Sequence, residues 1–197
     1  TRKQRFMLGT AFAGVCTFLG STPAFADCLP DVPGTTVVCN TTDPDGFQTT
    51  TNSVTIRVEP TATVGTGAAT PSPLLSAGTT SVLNNEGIIN SSATAISLGG
   101  GSSVNNAAGG SPGDITGNVL FGNTTGTQVN TFNNLGTNST LTGNIVSTGA
   151  LTVNSGAGST LTGNITASTG PLIVVNNGGT ISGTITGSGL ADSVTLS

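Results

Sequence analysis

Few side chains in this sequence could act in catalysis, and histidine, the most common general acid or base, is missing. The 197 residues contain no His, and Arg57 is the one cation beyond the first five residues. A Ser-His-Asp triad therefore cannot form, and no Lys follows Lys3 to serve as a base. Asp192 and Ser193 are neighbours, but the Gly-x-Ser-x-Gly elbow that would present a nucleophile is absent. These residues do not predict a nucleophilic site.

Three carboxylates, Glu86, Asp114 and Asp192, fall in the repetitive part of the chain. Some β-helical enzymes cleave polysaccharides with acidic residues on one face, and glycoside hydrolysis commonly uses a carboxylate pair around the scissile bond. Here the three acids are widely separated along the chain, so their spacing shows no pair. We therefore expect no enzymatic activity in this segment, no catalytic residue and no cofactor.

The stretch Asp43-Pro-Asp45-Gly46 has two interpretations. Carboxylates two residues apart begin many calcium loops, but the third acid and the later bidentate Glu of such loops are missing. Asp, Pro and Gly are also the residues that favour a tight turn. We predict a turn here and no metal ligand.

The N-terminus reads as a secretory signal peptide over residues 1–26. Arg2, Lys3 and Arg5 precede an uncharged run over 6–19, and Ala24-Phe-Ala26 is a small-x-small cleavage site. Cleavage is predicted between Ala26 and Asp27. The alternative is a retained anchor, for which the apolar run is shorter than the roughly 20 residues of a membrane span.

Removal of the signal peptide leaves Cys28 and Cys39 as the two thiols. An even pair in an exported chain indicates a disulfide. A metal site would need more ligands than two thiols, and the chain has no His to add. Closing so short a loop is expected to contribute on the order of 3 kcal/mol.

A sequence repeat indicates the secondary structure that positions the residues discussed above. Ser139-Thr-Leu-Thr-Gly-Asn-Ile145 returns unchanged at 159–165, a third copy spans 179–185, and a looser one spans 113–119. A period of about 20 residues is typical of a solenoid. Because Thr, Ile, Val, Gly and Asn dominate, strands and turns are favoured over helices. The predicted fold is all-β, a parallel β-helix with about 20 residues and three short strands per coil.

Stacking of the coils would align equivalent residues of each repeat. One apolar file is predicted to contain Leu141, Leu161 and Ile181, and a second Ile145, Ile165 and Ile185. Asn144 and Asn164 would form an amide ladder at a turn. Gly143, Gly163 and Gly183 would permit a positive φ where each coil bends. All of these residues are expected to serve as scaffold.

The domain organisation follows from these patterns. Residues 27–81 are predicted to form a disulfide-bearing N-terminal cap or irregular first coils, with a strand over 54–58. Residues 82–197 are predicted to form β-helix repeats that stop in mid-repeat, so that an exposed last coil would make the 27–197 fragment self-associate. One cation and eight carboxylates remain from Asp27 onward, which argues against a nucleic-acid partner.

In the order of its motifs the chain resembles the N-terminal part of an autotransporter passenger, a bacterial surface protein of type V secretion. The resemblance rests on the signal peptide, Cys39-Asn-Thr-Thr-Asp-Pro-Asp-Gly46, Asn85-Glu-Gly-Ile88, Ala95-Ile-Ser-Leu98 and the Gly-x-Ile/Leu-x-Gly-x-Ile copies. It implies export to the cell surface or beyond, and an outer-membrane translocator barrel in the same full-length chain.

Three functions remain open at this point. The leading one is a non-catalytic passenger stalk that acts in adhesion or self-association. The second is a β-helical scaffold for a hydrolase or protease module beyond residue 197. The third, a phage tail-fibre-type β-helix, is disfavoured by the signal peptide.

Overall fold

The structure is a computed structural model that describes residues 28–30, 35–67, 72–122 and 128–197. The predicted signal peptide and its cleavage site between Ala26 and Asp27 lie outside the described residues. Within the described ranges every regular element is a β-strand. None of these residues belongs to a helix long and apolar enough to cross a lipid bilayer.

Nine strands of the described ranges form the first sheet. They are β1 (Leu29–Pro30), β2 (Thr36–Cys39), β5 (Thr55–Val58), β8 (Val82–Asn85), β10 (Ser103–Asn106), β12 (Val129–Asn134), β15 (Ala150–Ser155), β18 (Leu172–Asn176) and β21 (Ser193–Leu196). Apart from the antiparallel pair β1–β2, neighbours in this sheet are parallel.

In the part of the chain that the structure describes, twelve strands form the second sheet. They are β3 (Thr42–Asp43), β4 (Phe47–Gln48), β6 (Thr63–Val64), β7 (Leu75–Ala77), β9 (Ile88–Leu98), β11 (Asp114–Phe121), β13 (Thr140–Thr142), β14 (Ile145–Ser147), β16 (Thr160–Thr162), β17 (Ile165–Ala167), β19 (Thr180–Ser182) and β20 (Ile185–Thr186). In most coils a bend divides this side into two short strands.

The chain alternates between the two sheets and so winds a parallel β-solenoid of about seven turns. This confirms the predicted fold class. Each coil contains one strand of the first sheet followed by its strands of the second. Thr131 pairs with Thr152, and Thr152 with Ile173, in keeping with a coil length of about 21 residues. The coil that leads from Ser103 to its partner Thr131 is longer, and its extra residues lie in the connections between strands.

The core runs along the solenoid axis between the sheets. Leu161 is fully buried and pairs in register with Leu141 on one side and Ile181 on the other. Ile165 is likewise buried, in register between Ile145 and Ile185. Ile181 and Ile185 are only partly buried, because β19 and β20 each have a single partner among the described strands. The two apolar files deduced from the repeat thus stand side by side in the core.

The second sheet bends at a Gly-Asn step in each regular coil. Gly143, Gly163 and Gly183 have φ values of +153°, +142° and +149°, which glycine adopts without a Cβ penalty. At the next residue, Asn144 Oδ1 accepts a hydrogen bond from the Asn164 N–H at 2.9 Å. Asn164 Oδ1 accepts one from the Thr184 N–H at 2.9 Å. The predicted amide ladder thus takes a different form, in which the oxygens of Asn144 and Asn164 bond to the backbone of the following coil.

The first coil is secured by the disulfide between Cys28 and Cys39. Asp43, only 1% exposed, accepts hydrogen bonds from three backbone N–H groups, those of Cys28 at 2.7 Å, Asp45 at 2.9 Å and Gly46 at 2.8 Å. The stretch from Asp43 to Gly46 is thus a side-chain-stabilised turn. The described residues between 36 and 77 form coils that continue directly into the later ones.

Candidate binding groove

A file of Asn side chains lies along the outer face of the first sheet. The inner positions of these strands are buried, and alternation along a strand places the intervening residues outside. The register aligns Asn84, Asn105, Asn133 and Asn154 in consecutive coils. We call these four residues the outer Asn file.

The amides of the outer Asn file are hydrogen-bonded to one another along the axis. Asn105 Nδ2 donates to Asn84 Oδ1 at 2.8 Å, and Asn133 Nδ2 donates to Asn105 Oδ1 at 2.7 Å. Asn154 Nδ2 continues the chain by donating to Asn133 Oδ1 at 2.7 Å. These bonds fix the orientation of each amide, because the oxygen and nitrogen of every side chain point in opposite directions along the axis.

A second Asn file stands behind the first, inside the corner of the solenoid. Asn85 Nδ2 donates to Asn106 Oδ1 at 2.8 Å, and Asn106 Nδ2 donates to Asn134 Oδ1 at 2.9 Å. All three are at most 1% exposed. The adjacent Asn-Asn pairs produce both files, since neighbouring residues of a strand face opposite sides. The buried file satisfies backbone carbonyls such as that of Gly113 and rigidifies the corner.

Three members of the outer Asn file, Asn84, Asn105 and Asn133, form the floor of a groove of 560 Å³. Its wall includes the turn that follows β10 and the exposed side chain of Leu135. Its lining residues are Arg57, Asn84, Glu86, Asn105, Asn106, Ala107, Ala108, Asn133 and Leu135. The groove therefore combines an amide floor with a small apolar wall.

Two charged side chains, those of Arg57 and Glu86, line the groove. Arg57 occupies the file position next to Asn84, and its Nε lies 3.1 Å from Glu59 Oε1. The Arg57 side chain is 49% exposed, so this ion pair contributes little to stability. Glu86 adds a carboxylate to the lining. The cation is therefore already accompanied by acidic groups, and the rest of the groove is uncharged.

The other acidic residues considered from the sequence have structural partners. Asp114 Oδ1 accepts a hydrogen bond from Thr140 Oγ1 at 2.7 Å. Asp192 Oδ1 accepts one from the Leu172 N–H at 2.8 Å, and Ser193 is an exposed residue of β21. Among the described residues no group of three or more His, Cys, Asp or Glu side chains is arranged to hold a metal ion. These contacts connect neighbouring coils.

The outer Asn file was missed by sequence reasoning, although a signal for it exists. Asn-Asn pairs occur at 84–85, 105–106, 133–134 and 176–177, each after an apolar residue. The steps between the first three pairs are uneven and longer than that of the regular copies, so a search at constant period does not align them. Aligning the chain on these three pairs would have found Asn84, Asn105 and Asn133 of the file, whereas the pair at 176–177 is shifted by one position.

Fold and groove together define a class: a parallel β-solenoid scaffold whose outer face carries an open, amide-lined groove. A comparison with known protein families, curated proteins and solved structures finds no match for the chain.

Proposed function

We propose that this chain is the exported, non-catalytic stalk of an autotransporter-type surface protein, and that it acts in adhesion or self-association. The observation that carries the proposal is the uninterrupted stack of about seven coils with an almost uncharged outer face. Such a stack holds polar side chains at regular intervals on a rigid surface, which suits multiple weak contacts.

The disulfide supports the export part of this proposal. Stable structural disulfides are typical of proteins that mature in oxidising compartments. The Cys28–Cys39 bond lies in the first coil, directly after the predicted cleavage site. A translocator barrel in the same full-length chain would deliver the stalk to the cell surface.

The side-chain contacts support a non-catalytic role. Asp43, Asp114 and Asp192 each accept hydrogen bonds that hold turns or coils together. These three carboxylates therefore have structural roles, and their presence does not require a substrate.

Export can be tested with a reporter enzyme that is active only after its disulfides form. Residues 1–26 fused to this reporter are expected to give activity, and the same fusion with Arg2, Lys3 and Arg5 changed to Glu is the control. N-terminal sequencing of the exported native chain, without the reporter, should begin at Asp27. A reporter that stays reduced with the native leader would contradict export.

Adhesion and self-association can be tested with the purified chain coupled to latex beads. Coated beads are expected to clump or to bind cells, and albumin-coated beads are the control. Beads that neither clump nor bind any of a panel of bacterial and animal cells would contradict the proposal.

A further inference from the structure

We infer that the groove on the first sheet is a binding site for an extended, uncharged polysaccharide. This inference rests on the proposed adhesive function and specifies its ligand. Its starting point is the set of hydrogen-bonding groups that the groove floor leaves available.

Each amide within the outer Asn file has bonding capacity left over. A side-chain amide has two N–H donors and an oxygen with two lone pairs. Asn105 and Asn133 each use one N–H and one lone pair within the file. One donor and one acceptor per residue therefore remain to face the groove. Sugar hydroxyls both donate and accept, so neighbouring hydroxyls of one sugar ring match this pair.

The periodicity favours a polymer over a single sugar. The amides recur once per coil, at the strand spacing of about 4.8 Å. A single neutral hydrogen-bonded site gives low affinity, but several linked sites act together. Tyr and Trp do not occur in the chain, so stacking of sugar rings on these residues is not available. Ala107, Ala108 and Leu135 instead offer a small apolar wall to the C–H groups of a sugar.

The charges disfavour ionic polymers. Among the described residues of the lining Arg57 is the only cation, and Glu59 already pairs with it. Glu86 would repel phosphate, sulfate or carboxylate groups on a ligand. Nucleic acids and acidic polysaccharides would gain no net attraction here.

The sheet topology disfavours an extended peptide. Peptides that add to a sheet need a strand with an unpaired edge. The groove floor is made of β5, β8, β10 and β12, and each of these strands is paired on both sides. The floor therefore offers a ligand side chains and no strand edge, which suits a sugar polymer better than a polypeptide.

The chain itself suggests the substitutions that test this site. Val38 and Val175 occupy the same outward file in other coils, so valine fits this position of the sheet. The double variant Asn105→Val, Asn133→Val removes the central amides and keeps a strand-forming residue. Thr162→Val, on the exposed face of the second sheet, is the matched control.

The test begins with a glycan array that carries neutral and acidic chains, probed with the purified full chain. We expect retention on one or more neutral polysaccharides. Calorimetry with that glycan's hexasaccharide and disaccharide should show the longer chain binding at least about tenfold more tightly. The double variant should bind the hexasaccharide about tenfold less tightly or worse, with circular dichroism unchanged. Binding should not change with salt, because the ligand is uncharged.

The outcomes separate this inference from the proposed function. Binding only to acidic chains, no binding to any neutral chain, or equal binding by the double variant and the wild type would overturn the glycan site. If the beads still adhere to cells in those cases, the adhesive function stands without it. If a neutral glycan binds as expected but beads neither clump nor adhere, the glycan site stands and the adhesive function fails.

Discussion

At the scale of single residues, Asp43 is the carboxylate whose surroundings are most unusual. Carboxylates are rarely buried without partners, yet this side chain is 1% exposed. Its two oxygens accept three backbone N–H groups, one from Cys28 and two from its own turn. The carboxylate therefore joins the disulfide-bearing residue to the turn of the first coil.

We predict that Asp43→Asn destabilises the fold. An amide retains a single acceptor oxygen, so at least one of the three N–H groups loses its partner, and loss of the buried bond to Cys28 would cost about 1–3 kcal/mol. Urea unfolding followed by circular dichroism would measure the loss. Asp45→Asn, which makes the same charge change at an exposed neighbour, should have little effect. Equal midpoints for the two variants would contradict the role given to Asp43.

Gly163 provides a second residue-scale prediction. Its φ is +142°, and a Cβ built on it would lie 2.0 Å from the Gly143 carbonyl oxygen. Gly163→Ala should therefore cost roughly 3 kcal/mol or more, from backbone strain and a clash with a neighbouring coil.

Gly110→Ala is the matched control for Gly163→Ala. Gly110 has φ +92°, but nothing lies within 4 Å of its Cβ position. Its substitution should cost about 1–2 kcal/mol, from strain alone. Equal losses in a thermal melt would show that the close stacking of the glycines does not matter.

At the scale of elements, the regular coils could be predicted because their repeats are nearly identical. The copies at 139–145 and 159–165 place Leu141 and Leu161 in register, as observed. In the earlier coils insertions break the constant repeat spacing, so these coils are hard to recognise in the sequence. One example is the longer stretch of chain between the paired strands β5 and β8. An insertion costs little at a solenoid turn, since the strands on either side keep their pairing. Constant spacing is therefore a poor guide there, and the groove lies in that part of the chain.

A single extra residue illustrates how the turns absorb length. Leu151 pairs with Leu172, and Ile165 pairs with Ile185, so the first step is one position longer than the second. The additional residue lies between β17 and β18. The turn takes up the difference and both strands remain in register.

We predict that Leu161→Ala lowers the free energy of unfolding by about 2–5 kcal/mol, because a cavity opens between two coils. Ile181→Ala should cost less, since Ile181 is only partly buried. Thr142→Ala, at an exposed position of β13, should have a minor effect. Chemical denaturation would rank the three variants, and a Thr142 effect as large as that of Leu161 would contradict the packing described.

At the scale of the whole molecule, stability is spread along the axis. Each coil contacts mainly the coils before and after it, so neighbouring coils support one another in a nearly linear array. The disulfide reinforces the first coil, where β1 has one partner strand. Internal coils are covered on both sides and are expected to open last.

The placement of Arg57 has a consequence for proteolysis. Trypsin cleaves after Lys or Arg, and beyond Arg5 the chain offers it only the Arg57–Val58 bond. That bond lies in β5, which is paired with β2 and β8, and Val58 is fully buried. We predict that the native chain resists trypsin apart from its first five residues. In urea it should split into two fragments at Arg57, so digestion followed by gel electrophoresis would report the fraction unfolded. The positive control is Ala108→Lys, which places a cleavage site in an exposed turn and should be cut without denaturant. Rapid cleavage of the native chain at Arg57 would contradict the prediction, because it would show that β5 opens independently of its neighbours.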